Sequence, residues 1–489
     1  MSDHPSDHHG ADGTGDDDAA RARATWERML RPMLGDEGAR EAVEALESAG
    51  LDPSQMAKAA GMSQDPAAMQ AMMAQVQRLM TTPAEGGVNW TLAHDVARQT
   101  AHQGGDPSVT AADGARVTSA LSVADLWLDA ATDLAPAGGA RSAWSRAQWV
   151  EATLETWKRL TGPVASSVSE ALAEVLTSGE GLMGGPSGLG GLPDGALPGG
   201  MGDPATMLRS LGSSVFGLQV GQAAGTLARE VFGSSDTGLP LLETPGTALV
   251  PRNVADFAEG LEAEDGEVLA FLAVRESAHA RLYARVPWLR AHVLGLVEEY
   301  ARGITIDLER MEESVRSIDP SDPDALREAL SGGVFAPSVT PEQDGALQRL
   351  ETALALVEGW VEDVTARAVA PHLPHGVPLR EMMRRRRAAG GPAEHVFSTL
   401  VGLRLRPKRL REAATLMATL VSEGGAEARE SVWEHPDLLP TAEDLDQPTT
   451  FTARREQARA ADAEMDAALA DLLDGGSGDG GDTGADPKE

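Results

Sequence analysis

Apolar residues along this chain recur at three- and four-residue spacing, and two-residue alternation is rare, so the pattern reads as helix after helix. Trp149, Leu154, Trp157, Leu160 and Val164 form one stripe in a helix expected over 146–177. Shorter helices are expected over 90–103 and 116–130, and Leu289, Val293, Leu296, Val297 and Tyr300 line one face of another over 289–302. Nearer the start, Trp26, Met29 and Leu30 and then Ala42, Val43 and Leu46 repeat the pattern, and Met62, Met69, Met72, Met73 and Met80 read as a core-facing stripe. Only 239–242 and 248–250 suggest a short strand. The expected fold class is all-α, with aromatics at 4% leaving Leu, Val, Ala and Met to fill the interior.

The periodicity breaks over 178–203, SGEGLMGGPSGLGGLPDGALPGGMGD, where Gly and Pro dominate and a linker or loop is expected. That stretch would separate an N-terminal helical region, 21–177, from a second helical region, 204–474. The Gly/Asp-rich ends, 1–20 and 475–489, read as disordered tails. The second region opens with VFGLQVGQAAGTLAREV (215–231), where Gly217, Gly221 and Gly225 leave one helix face bare. Each interior Gly costs about 1 kcal/mol against Ala, so the pattern predicts another segment close enough to offset that cost.

Charge and composition narrow the partners. Formal net charge is -34, which disfavours nucleic acid and anionic membrane unless the basic residues cluster. The one dense basic stretch, Arg380 with Arg384–Arg387 and then Arg404 to Arg411, has no interleaved aromatics; it reads as a solvated face or as internal partners for the acidic surplus. There is no Cys, so disulfides and thiolate chemistry are excluded and any metal site must use His and carboxylate. The N-terminus lacks an apolar core and no run of about 20 apolar residues occurs, so no membrane span is expected and the expected compartment is the cytoplasm. A phosphate-binding loop and a dinucleotide fingerprint are both missing. His372 and His375 bracket Leu373-Pro374 and read as a Pro-rich turn, with a metal pair as the alternative, and WEHPDLLPT (433–441) reads as a helix end stopped by Pro436.

The stretch that could carry chemistry is VLAFLAVRESAHARLYARV, 268–286. At 100° per residue Val268, Leu269, Leu272, Leu282, Tyr283 and Val286 share a side with Arg275, Glu276 and His279. Three polar groups on an apolar face must pair with each other, with a partner helix or with an ion. Arg275-Glu276-Ser277-Ala278-His279 aligns with the zinc-helix pattern His-Glu-x-x-His except that Arg stands at the first position.

Together with GSSVFGLQVGQAAGTLAREVFGSSDTGLPL (212–241), VRESAHARLYARVPWLRAHVLGLVEEYARGITID (274–307), LVGLRLRPKRLREAATL (400–416) and WEHPDLLPTAEDLDQP (433–448), this motif resembles an actinobacterial zincin-like family. Its members are labelled zinc-dependent metalloproteases or inferred hydrolases, and one branch is associated with deazaflavin-coenzyme biosynthesis. The resemblance spans roughly 25–470 and implies a mainly helical fold with a zincin-like motif helix. It implies Glu276 as general base and His279 as second zinc ligand, with Arg275 in the first-ligand position. Arginine has no lone pair to give a metal, and two protein ligands rarely hold catalytic zinc. Zinc is implied by resemblance but is not expected to bind tightly. His292 and Glu299, seven apart on the next helix, could complete a His279–His292–Glu299 site, or Arg275 could stand in for the metal and pair with Glu299. Two functions follow as expectations: a weakly active or inactive metalloprotease-like hydrolase, or a non-catalytic helical protein that binds a protein or small-molecule ligand through the same cleft.

Overall fold

In the computed structural model these stripes become long helices and one small sheet. The structure describes residues 85–177, 204–303, 340–390 and 409–475, with isolated positions at 40, 394, 396, 398 and 400. The expectations for 21–80, for the 178–203 linker and for both tails lie outside the described residues. The chain is mainly α: α1 (Trp90–His102), α2 (Ala111–Leu128), β1 (Ala140–Ala143), α3 (Arg146–Thr177), α4 (Pro204–Ala228), β2 (Gly246–Leu249), α5 (Pro251–Ala258), α6 (Asp265–Arg285), α7 (Pro287–Arg302), α8 (Pro341–Val369), α9 (Gly376–Ala388), α10 (Leu410–Glu430), α11 (Ala442–Asp446) and α12 (Phe451–Gly475). Among the described residues no helix is long and apolar enough to cross a membrane.

Two compact units divide the chain, one of Met1–Leu92, Ala165–Gly217 and Ile306–Phe335, the other of Ala93–Val164, Leu218–Thr305 and Ala336–Glu489. Each draws on segments from both sides of 178–203. In the first, the Asn89 N–H donates to the Ser213 carbonyl at 3.0 Å. A Cβ on Gly217 would stand 2.6 Å from the Asn89 carbonyl oxygen.

In the second unit the glycine face of α4 does what its spacing predicts. A Cβ on Gly221 would stand 2.5 Å from the Ala93 oxygen, and one on Gly225 would stand 2.5 Å from the Ala97 oxygen, so two helix backbones touch here. Gly225→Val is therefore expected to cost about 1–3 kcal/mol by overpacking, read as a lower urea midpoint with an unchanged slope.

The core of this unit is α6. It packs against α2, α5, α7, α8, α9 and β2, and α8 in turn packs against α7 and α10. Every residue from Phe271 to Leu282 is buried, so the helix is enclosed all round here, where the sequence pattern suggested one apolar side. Local signals set its neighbours: Pro287 opens α7, and α8 begins with a capping box between Thr340 and Gln343. Trp149, Trp157, Leu160 and Val164 of α3 and Leu289, Val293, Leu296, Val297 and Tyr300 of α7 are buried as their spacing predicts.

β1 and β2 pair in parallel, with Ala140 opposite Gly246 and Ala143 opposite Leu249. On the other edge of β2 the segment 232–234 adds short pairing, Val250 N–H to Phe232 O at 2.8 Å and Ser234 N–H to Ala248 O at 3.2 Å. β2 falls where the sequence suggested extension, 239–242 is irregular, and β1 was not foreseen because its four residues, ARSA, are short and half exposed.

Candidate functional site

The motif residues lie mid-way along α6, where burial is complete. Arg275 is 7% exposed, Glu276 4% and His279 2%, so the three are covered together. Polar groups so placed need partners, and two separate arrangements supply them.

The first is built around a residue of α8. Glu358, also buried, receives three cationic or imidazole groups. Arg275 Nη2 donates to Glu358 Oε2 at 2.9 Å, and His279 Nε2 meets Glu358 Oε1 at 2.9 Å. Arg387 Nη1, from the last turn of α9, pairs with the same Oε1 at 2.7 Å. His279 Nδ1 faces the Arg275 carbonyl at 2.9 Å, so both ring nitrogens face oxygen acceptors. Burial pushes the Glu358 carboxyl up, but Arg387, His279 and Arg275 outweigh it and hold it well below the usual carboxylate range. Burial lowers the Arg387 guanidinium, with Glu358 opposing. Tyr283, one turn beyond His279, donates to the Gly238 carbonyl at 2.6 Å. Burial raises its phenol, and the Glu358 charge adds to that.

The second arrangement cradles Glu276. Its Oε1 accepts from the Ser234 N–H at 3.1 Å, the Ala248 N–H at 3.3 Å and, at very short range, the Ser234 hydroxyl. Its Oε2 accepts from the Ser235 N–H at 3.1 Å. The loop can approach because position 233 is glycine: a Cβ there would stand 2.7 Å from Glu276 Oε2 and 2.5 Å from the Ala248 oxygen. Burial raises the Glu276 carboxyl, and the Ser234 hydroxyl, His279 and the backbone donors oppose it. Glu276→Gln would put an amide NH2 where four donors converge. It is expected to cost about 1–3 kcal/mol for the unpaired donor, measured by chemical unfolding.

A short chain of ion pairs continues outward. Asp236 accepts from Arg386 at 2.9 Å and from the Phe232 N–H at 3.2 Å, and its carbonyl takes Arg387 Nη2 at 3.0 Å. Burial raises the Asp236 carboxyl, but Arg386 and Arg387 hold it below its usual value. The Arg386 guanidinium also lies 4.1 Å from the centre of the Phe232 ring.

The expected metal ligands are not brought together. Glu299 pairs with Arg349 of α8 at 2.6 Å, and both are about half exposed. His292 packs edge-on against Trp288, its ring pushed to lower pKa by burial and by Arg349. Arg275 does take a carboxylate partner, but that partner is Glu358 rather than Glu299. Among the described residues no three His, Asp or Glu side chains group as a metal site. Elsewhere His372 stacks on Trp127 with ring centroids 4.3 Å apart and His375 Nδ1 contacts Glu267 at 3.1 Å, so the two histidines have different partners.

The donor set does not fit a catalytic zinc. The first-ligand position is a guanidinium engaged with Glu358, and His279 has no lone pair directed at open space. Both oxygens of Glu276 are already held by the 234–235 loop and β2.

Sequence reasoning missed Glu358 and Ser234, and it placed Arg387 only within a basic stretch that reads as a solvated face or as internal partners. Glu358 sits within ALALVEGWVEDV, a charge flanked by apolar residues on both sides, and that was the available signal. Ser234 carried none.

A model of the zincin-like metallopeptidase family matches residues 88–452, and the chain belongs to that family. A solved structure from Chloroflexus aurantiacus, a "putative hydrolase with a novel fold", matches with a TM-score of 0.53 at 18% identity, over 76% of this chain and 99% of that one. At that identity the likeness is one of fold. Curated proteins gave no match.

Proposed function

We propose that this chain is a non-catalytic member of the zincin-like metallopeptidase family, in which the motif helix has become the ion-pair core of a helical binding or scaffold protein. One observation carries the reading: Arg275 and His279, which occupy the two ligand positions of the motif, both bind Glu358 inside a buried cluster. Arg275 brings permanent positive charge to the place where a cation would otherwise balance that carboxylate. Glu276 supports the same reading, because its oxygens anchor the 234–235 loop and β2 to α6 and leave no lone pair committed to activating water.

The partner would be a protein or a small molecule, and the cytoplasm is the proposed compartment. Metal analysis of tag-free protein tests the proposal. Zinc well below one equivalent is expected, together with no peptide hydrolysis above background when zinc is added. Stoichiometric zinc that survives dialysis would overturn it and restore the hydrolase reading.

A further inference from the structure

The arginines of α9 and the start of α10 fall into two groups. Arg384 pairs with Glu362, Arg385 with Glu381 at 3.4 Å, Arg386 with Asp236 at 2.9 Å, Arg387 with Glu358 at 2.7 Å, and Arg409 with Asp446 at 2.8 Å. These are the internal partners that the acidic surplus allows. Arg380 and Arg411 are different: neither guanidinium has an ion pair or hydrogen bond among the described residues. Both line one open cavity of about 540 Å³ between α8, α9 and α10.

The cavity lining also carries two acids, Glu362 and Asp363, and both are paired with other arginines. Glu362 is taken by Arg384, and Asp363 by Arg429 at 2.7 Å and Arg367 at 2.9 Å. The facing wall carries Thr415, Thr419 and Ser422. Their hydroxyls donate to the carbonyls of Arg411, Thr415 and Thr419 at 2.8, 2.9 and 2.7 Å, which leaves their oxygen lone pairs as acceptors. The cavity thus offers unpaired guanidinium donors and, beside them, hydroxyl acceptors. Its lining has no aromatic residue, so nothing there would stack a base. Its volume is within the ~300–1,000 Å³ range of small-molecule sites. Three guanidinium groups, Arg380, Arg384 and Arg411, share this lining with two carboxylates, Glu362 and Asp363, so its formal charge is positive and favours an anion.

We propose that this cavity binds the phosphate monoester of a small polyhydroxylated molecule, with Arg380 and Arg411 holding the phosphoryl oxygens and Thr415, Thr419 and Ser422 accepting from the hydroxyls. Guanidinium groups suit this task because their paired N–H donors match phosphate oxygens. The site is separate from the α6 cluster, and its test does not depend on whether zinc binds.

Calorimetric titration of the full chain at about 0.15 M salt, where long-range repulsion from the acidic surface is screened, supplies the test. Glycerol 3-phosphate, inorganic phosphate, glycerol and succinate are the probes. Glycerol 3-phosphate should bind saturably and several-fold tighter than inorganic phosphate, with glycerol and succinate silent. Arg380→Gln and Arg411→Gln should each weaken it by roughly tenfold or more, the loss of one charge-assisted contact. Thr419→Val should bring glycerol 3-phosphate down to the level of inorganic phosphate. Both arginines are at least partly exposed, so these variants are expected to fold, and circular dichroism checks that. The proposal is overturned by absent saturation, by affinity unchanged in both Arg variants, by succinate binding as well as the phosphates, or by no preference for the ester.

Discussion

Replacing Glu358 by alanine is expected to lower the unfolding free energy by about 3–5 kcal/mol, the cost of leaving buried charges without their counter-ion. Glu358 takes Arg275, His279 and Arg387 at once, so its removal leaves all three without their shared acceptor in a largely buried site. Glu358→Gln keeps the shape and removes the charge, and should fall between alanine and wild type. The same residue sets the acid limb of stability. Its folded-state pKa is depressed, so its contribution is complete above the unfolded carboxylate range, near pH 4.3, and is lost as pH falls below that toward the folded value. Asp236 acts in the same direction through Arg386 and Arg387. Glu276 acts oppositely: its pKa is raised, so the folded state gains relative stability as pH falls through its folded pKa. Urea midpoints between pH 3 and 7 should therefore fall steeply on the acid side in wild type, and less steeply in Glu358→Ala. Identical slopes would show that Glu358 is not the titrating group that couples the cluster to stability.

The second large effect is expected from Arg275→His. The variant would place imidazole at both ligand positions of the motif, with Glu358 already in hydrogen-bond contact with positions 275 and 279. His279 is oriented for the task, since its Nδ1 is engaged by a backbone carbonyl as in many metal-ligating histidines, leaving Nε2 to point at Glu358. Without metal the variant should lose about 1–3 kcal/mol, less than Glu358→Ala, because Arg387 still pairs with the carboxylate and His279 Nε2 stays in contact with it. With zinc it should take up about one equivalent and recover stability, because the metal binds the folded state alone. Melting temperatures with zinc and with chelator, for variant and wild type, measure both effects. A variant that takes up no zinc would mean that the 275, 279 and 358 side chains cannot close on one ion.

Much of the helical architecture was legible in the sequence because it is local. Three- and four-residue spacing marked α3 and α7, and the four-residue glycine repeat announced a backbone contact that α1 supplies. The motif also announced its own burial, since Arg275, Glu276 and His279 share the helix side of Val268, Leu272 and Leu282. What could not be read was the identity of partners distant along the chain. Glu299 was the natural choice for Arg275 by sequence distance, whereas the packing of α8 across α6 delivers Glu358, 83 residues away.

The sequence by itself determined the class of fold, the motif helix and the need for its three polar residues to be paired, because periodicity and desolvation cost are properties of single segments. The tertiary structure alone decided how they are paired. Glu276 faces a serine loop held by a strand and a glycine, and Arg275 and His279 share a carboxylate with Arg387. These contacts depend on which helices enclose α6, and a hydrogen bond between α6, α8 and α9 leaves no periodic trace in any one of them. Among the described residues the same physics left the Arg380 and Arg411 guanidinium groups unpaired while their neighbours were neutralised, because that outcome depends on the reach of acids carried by other helices.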